Sequence, residues 1–151
     1  MNGYWYSLMP ENELSFVMKT YDENIEALHG IHRNYETWKA LIADAASAYY
    51  VVYKEEPVAW FRLDIENGEV WLGMLQVNQK YHRQGIGKYI LRVAEELARE
   101  KGYYQLGVHT TEDNIAARNL YLSCGYQVTE YGPCTTADGK VRTGYTFQKK
   151  I

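Results

Sequence analysis

The sequence predicts an α/β domain, with a mixed and mostly antiparallel central sheet flanked by helices. Three observations lead there. An apolar, β-prone run (Val70, Trp71, Leu72, Met74, Leu75, Val77) passes through a glycine-containing loop into an amphipathic segment that ends at Lys101 and Gly102. Before it, Ala48 to Val77 carries the turn residues of a three-strand antiparallel meander. After it, a strand, a helix and a closing hairpin fit between Tyr103 and Lys149.

Taken in order, Tyr4 to Leu8 is an aromatic-rich first strand ended by Pro10. From Glu11 to His29, Leu14, Val17, Met18, Tyr21, Ile25 and Leu28 recur at helical intervals until Gly30 breaks them. A second helical piece gathers Tyr35, Trp38, Leu41, Ile42 and Ala45. Ala48 to Tyr53 and Val58 to Ile65 read as strands around a turn at Lys54 to Pro57, and Glu66-Asn67-Gly68 carries the Asn-Gly hairpin signal. Glu69 to Val77 continues the sheet. Beyond Gly102, Tyr103 to Thr110 is the next strand, and Thr111 to Asn114 supplies N-cap residues for a helix ended by Gly125. Tyr126 to Tyr131 and Val141 to Lys149 form the hairpin across a loop with Asp138 and Gly139. With no repeat, linker or low-complexity stretch, residues 1–151 are expected to form one domain.

The loop has a chemical meaning of its own. Gly85 and Gly87 stand at the mouth of a helix, where the backbone N–H groups lack intrahelical acceptors and no Cβ shields them. Such amides, at the positive end of the helix dipole, can cradle phosphate. Ile86, Ile90, Val93, Ala94 and Leu97 make the apolar face of that helix; Lys88, Arg92, Glu95, Glu96, Arg99 and Glu100 are expected on the other, with a Glu95 to Arg99 pair. Close backbone packing with no ligand would ask for the same two glycines.

Composition narrows the classes. The 151 residues are 46% hydrophobic and 23% charged with a net charge of −3, an ordinary balance that points to neither nucleic acid nor an anionic membrane as partner. Cys124 and Cys134 are too few for a disulfide scaffold and lack metal-binding spacing, so both are expected free in a reducing cytoplasm, with no metal site. The opening, Met1 to Pro10, has neither a basic n-region nor a sustained apolar run, so no cleaved signal is expected, and no stretch approaches about 20 apolar residues. Fifteen tyrosines suit sheet faces, an aromatic-walled pocket or a dimer interface.

The order strand, glycine loop, helix, strand, followed by Asn114-x-x-Ala117-x-x-Leu120-Tyr121-x-x-x-Gly125-Tyr126, resembles the GNAT N-acetyltransferase superfamily over Glu69 to Tyr131. The resemblance implies the acyl-CoA N-acyltransferase fold and acetyl-CoA as cosubstrate. It implies that Arg83, Gln84, Gly85, Ile86, Gly87 and Lys88 hold the pyrophosphate on backbone amides. Leu75, Gln76 and Val77 would pair through their backbone with the pantetheine arm, in a gap where their strand splays from the next, and Asn114 would face that arm. Tyr121 matches the general acid that protonates the departing thiolate. The implied activity is direct transfer of an acetyl group to a primary amine, on a small-molecule or peptide acceptor; a homodimer is compatible with it.

Acetyl transfer needs a neutral nucleophile near the thioester carbonyl, amide donors where the oxyanion develops, and proton routes off nitrogen and onto sulfur. A backbone N–H near Val77 suits the oxyanion. Two departures from the family pattern stand out. His82 occupies a place usually held by Arg or Gln, and Trp71 and Gly107 stand near positions where a catalytic Glu is common. The base is left among His109, Glu112 and a water chain. Without the resemblance Tyr121 reads as a core tyrosine, and Asn114 as an N-cap. The alternative function is an acyl-CoA-binding sensor or structural module that transfers nothing.

Overall fold

The computed structural model describes residues 3–151; Met1 and Asn2, which open the stretch expected to be uncleaved, lie outside the described residues. The chain runs β1 (Trp5–Leu8), α1 (Leu14–Glu23), α2 (Ile25–Leu28), α3 (Tyr35–Ala43), β2 (Ser47–Lys54), β3 (Glu56–Glu66), β4 (Glu69–Val77), α4 (Ile86–Glu100), β5 (Gln105–Thr111), α5 (Ile115–Ser123), β6 (Gln127–Thr135) and β7 (Val141–Lys150). The strands form one sheet in the order β1-β2-β3-β4-β5-β7-β6. Every neighbouring pair is antiparallel except β4 with β5. This is the mixed, mostly antiparallel sheet that the sequence predicts.

Each face of the sheet has its own core. On one, Tyr50, Phe61, Leu63, Val70, Leu72, Leu106, Val108 and Phe147 meet the apolar stripe of α4 and Tyr121 of α5. On the other, Tyr49, Val51 and Trp60 meet Leu14, Val17 and Tyr21 of α1 and Trp38 of α3. The period-2 alternation of the strands divides their side chains between these layers.

The hairpin signals behave as the residues dictate. Asn67 (φ 51°) and Gly68 (φ 76°) both take the positive φ of a primed turn between β3 and β4. The turn expected over Lys54 to Pro57 is tighter than that: Glu55 alone reverses the chain at φ 70°, and Pro57 already lies in β3.

Two expectations are corrected. The helical run over Glu11 to His29 is not continuous: a 3-10 turn at Glu11–Glu13 precedes α1, and Asn24 separates α1 from α2. The reason is that the Asn24 amide donates to β4 instead of serving a helix surface. Glu95 is not on the solvent face of α4; it is buried, accepting from the Tyr126 hydroxyl at 2.8 Å and from Lys149 Nζ at 3.2 Å, with Arg99 only at 4.0 Å. Both cysteines are free. No helix among the described residues is long and apolar enough to cross a membrane.

Candidate active site

The site begins where the sheet comes apart. β4 and β5 are in register over only Val70 with Leu106, Trp71 with Gly107, and Leu72 with Val108. Beyond Leu72, both strands continue without pairing to each other, β4 to Val77 and β5 to Thr111. A bulge at Gly73 accompanies the parting, since Arg62 faces Met74 while Leu63 faces Leu72. A Cβ at Gly73 would collide with the carboxylate of Asp64, which accepts from Arg62 at 2.9 Å.

Backbone direction along β4 decides what the gap can offer. The Asn78 N–H bonds the Val58 carbonyl, and groups alternate between edges along a strand, so Gln76 turns its backbone to Trp60 of β3. Leu75 and Val77 turn theirs to the open edge. This corrects the expected role of Gln76, whose backbone is committed to the sheet; its buried side-chain Oε1 instead accepts from Asn24 Nδ2 at 3.1 Å. The Val77 carbonyl is held from two sides, by Asn24 Nδ2 at 3.1 Å and by His82 Nε2 at 2.9 Å. His82 therefore staples the glycine loop to the end of β4.

At the loop itself, Gly85 has φ 80° and Arg83, a non-glycine residue, φ 65°. The first intrahelical bond of α4 runs from Tyr89 N–H to the Gly85 carbonyl, which leaves the N–H groups of Ile86, Gly87 and Lys88 free of helical acceptors. The side chains of Arg83, Gln84 and Lys88 are exposed around them. Gly87 has a second reason to be glycine, because a Cβ there would come within 2.8 Å of Leu120 Cδ2 on α5. Ligand cradle and close packing coexist in one motif.

Tyr121 is buried in the cluster that holds Val70, Leu72, Leu106 and Val108, against which Leu75 and Val77 also pack. Its ring lies 5.5 Å from that of Phe147. Burial pushes its pKa up to about 12. Asn114 caps α5, its Oδ1 accepting from Ala117 N–H at 3.2 Å.

Across β5, β6 and β7 opens a cleft of 690 Å³ whose lining includes Ala27, Leu28, His109, Asn114, Glu130 and Tyr145. Over it, His29 Nε2 meets Asp113 Oδ2 at 2.7 Å and the His29 carbonyl accepts from Asp138 N–H at 3.1 Å, joining the end of α2 to both neighbouring loops. His109 stacks on Trp71 at 4.5 Å and 12°, and its Nδ1 lies 3.0 Å from Thr146 Oγ1. Trp71 reaches this place because Gly107, opposite it, has no Cβ to strike its ring. Burial lowers the His109 pKa below 6.5, outweighing the pull of Glu130 and Glu66. Glu112 is exposed and outside the cleft lining, with its backbone N–H on the Thr143 carbonyl.

Of the residues singled out in the sequence, Leu75, Val77 and the glycine loop flank the gap and Tyr121 lies beneath it, while Asn114 and His109 line the cleft. Asn24, Thr146 and Glu130 were not singled out. Asn24 was hidden inside a helical period, and Glu130 reaches the cleft face only through a bulge at Thr129, which no composition signal marks.

The family model described as "Acetyltransferase (GNAT) family" matches residues 6–126. The protein named "Probable N-acetyltransferase 14" of Xenopus tropicalis is 35% identical over 60 residues, which are 40% of this chain and 29% of that protein. The spermine/spermidine N(1)-acetyltransferase of Bacillus subtilis is 26% identical over 126 residues, covering 70% and 83%. The chain thus spans less than a third of the frog protein but most of the bacterial one. Among solved structures, spermidine N-acetyltransferase from Vibrio cholerae, in complex with CoA and spermine, superposes with a TM-score of 0.85 at 13% identity, over 99% of this chain and 96% of that one. That likeness is one of fold.

Proposed function

The chain belongs to the GNAT acetyltransferase family, and from that premise we propose that it transfers the acetyl group of acetyl-CoA directly to a primary amine. The observation that carries this reading is the parting of β4 from β5 after three pairs, with unpaired helix amides at one end and Tyr121 buried beneath.

The residues present fit the cosubstrate. A diphosphate would lie on the N–H groups of Ile86, Gly87 and Lys88, with Arg83 and Lys88 as counter-charges. The open backbone edge of Leu75 would take the amide-bearing arm as a strand takes a partner, while at Val77, whose carbonyl is already held by Asn24 and His82, only the N–H remains open. Bound there, acetyl-CoA supplies an activated carbonyl and a thiolate leaving group. The Val77 N–H on the open edge serves the developing oxyanion. Burial keeps Tyr121 protonated at neutral pH, so its hydroxyl holds a proton for the departing sulfur.

The amine follows from the family and from the cleft, where Glu130 offers negative charge to a cation. Polyamines, the substrates named for the Bacillus subtilis and Vibrio cholerae proteins, are the first acceptors to try. Thermal unfolding with acetyl-CoA, CoA, ATP and NAD tests the cosubstrate: a ligand at a hundred times its Kd stabilises by about 2.7 kcal/mol. Stabilisation by acetyl-CoA and CoA alone is expected, and no shift with either removes the proposal. Tyr121→Phe is expected to lower kcat about a hundredfold with the acetyl-CoA Kd unchanged; unaltered turnover takes Tyr121 out of the mechanism. Trp71 and Gly107, where the family often has a carboxylate, favour a second reading as a non-catalytic acyl-CoA-binding module. Acetyl-CoA consumption across a panel of amines separates the two.

A further inference from the structure

We propose that His109 is the catalytic base, taking the proton of the acceptor ammonium at Nε2, with Thr146 fixing its ring and Glu130 holding the cation beside it. The inference rests on the acetyltransferase reading and supplies the proton route that reading leaves open.

The geometry is a row across three strands. His109 of β5 and Glu130 of β6 are both paired with Thr146 of β7, so the three side chains stand side by side on one face of the sheet. Glu130 is in this row because of the Thr129 bulge. Val128 faces Phe147 while Glu130 faces Thr146, and without the extra residue Glu130 would turn to the opposite face. The imidazole is fixed on two sides. Its face lies on Trp71, a stack that only a glycine at 107 permits, and Nδ1 lies 3.0 Å from Thr146 Oγ1. When Nδ1–H donates to that hydroxyl, the lone pair is on Nε2, and His109 is an exposed residue in the lining of the 690 Å³ cleft.

The chemistry needs such a group. An alkylamine with a pKa near that of lysine is neutral in only roughly one molecule in 2,500 at pH 7, and the ammonium has no lone pair with which to attack. Transfer of its proton to a neutral imidazole moves one positive charge from nitrogen to nitrogen and creates no new charge in the cleft. Glu130 and Glu66 are the carboxylates that pull the His109 pKa upward, and partial burial keeps the ring neutral against them. The balance is complete: one N–H proton passes to Nε2 and on to solvent, the C–N bond forms, and the C–S bond breaks. The sulfur takes the Tyr121 proton, and the second N–H proton restores the phenol.

The test compares wild type with His109→Gln and Thr146→Val, using whichever of spermidine, tyramine or an alanine-started peptide gives the fastest acetyl-CoA consumption. For His109→Gln, kcat/KM at pH 7 is expected to fall at least a hundredfold. Its pH profile should rise steadily with the free-amine fraction, where wild type shows an acid limb set by His109. Added imidazole should restore part of the rate in His109→Ala, which a structural role for the ring would not allow. Thr146→Val should lower kcat less and move the acid limb. Direct NMR titration of the imidazole, without any acceptor, should find His109 neutral at pH 7 and protonated on Nδ1. If His109→Gln keeps kcat/KM within threefold of wild type with the same acid limb, or if the titration finds Nε2 carrying the proton at pH 7, the proposal falls. Acetyl-CoA binding by calorimetry separates its failure from that of the acetyltransferase reading: unchanged binding with unchanged turnover rejects His109 alone, whereas no binding by wild type rejects both.

Discussion

At the scale of single residues, Gly107 shows how a missing side chain can build a site. It faces Trp71 across the parallel register of β4 with β5, and the indole occupies the volume that a Cβ would need. His109, two residues further along β5, then stacks on that indole. Gly107→Ala is therefore expected to push Trp71 aside and loosen the imidazole. Overpacking of this kind costs about 1–3 kcal/mol, to be read by urea unfolding. Turnover should fall by more than the acetyl-CoA affinity does, because the strand edges at Leu75 and Val77 lie beyond the disturbance. Equal loss of both would mean that the Trp71 stack supports the whole gap and not the imidazole in particular.

At the scale of elements, the break at Asn24 carries the most weight. One continuous helix from Leu14 to Leu28 would satisfy the apolar period, yet the chain spends Asn24 on β4, where its amide meets Gln76 Oε1 and the Val77 carbonyl. Asn24→Ala leaves the buried Gln76 oxygen unpaired, at a cost of about 1–3 kcal/mol. It also frees one of the two donors on Val77, so the KM for acetyl-CoA is expected to change while that for the amine does not. Titration of each substrate at saturating levels of the other checks this. β4 and α4 were legible at their observed limits because local rules specify them: a primed turn at Asn67 and Gly68, an apolar stripe from Ile86, and a glycine stop at Gly102. Asn24 and Glu95 were not, because their partners lie far along the chain, at Gln76 and at Tyr126 and Lys149. Motif spacing led to Tyr121 and the glycine loop; the row His109, Thr146 and Glu130 needed the strand order and a bulge, which periodicity does not reveal.

At the scale of the whole molecule, the shifted groups sort into acid and alkaline sets that shape stability against pH. His109 has a folded pKa below its unfolded 6.5, so its contribution is present above 6.5 and is lost as pH falls through the lowered value. Asp113, held down by the Thr111 hydroxyl and then by His29, and Asp138, held down by Thr136 and Arg142, follow the same sign below 3.8. Both carboxylates meet solvent, so their share is small. Tyr121 and Tyr126 are raised above 10, chiefly by burial, so their contribution is present below 10 and is lost as pH rises through the folded values. Thermal stability is thus expected to be level between about pH 6.5 and 10, with a shallow acid step, a further fall below 3.8, and a loss on the alkaline side. Calorimetry of wild type and His109→Gln across this range isolates one step. The variant should lose only the decline that begins at 6.5, because Gln cannot take up the proton that the unfolded imidazole binds. If the decline persists in the variant, its source is another group, and the imidazole is not held neutral by the fold.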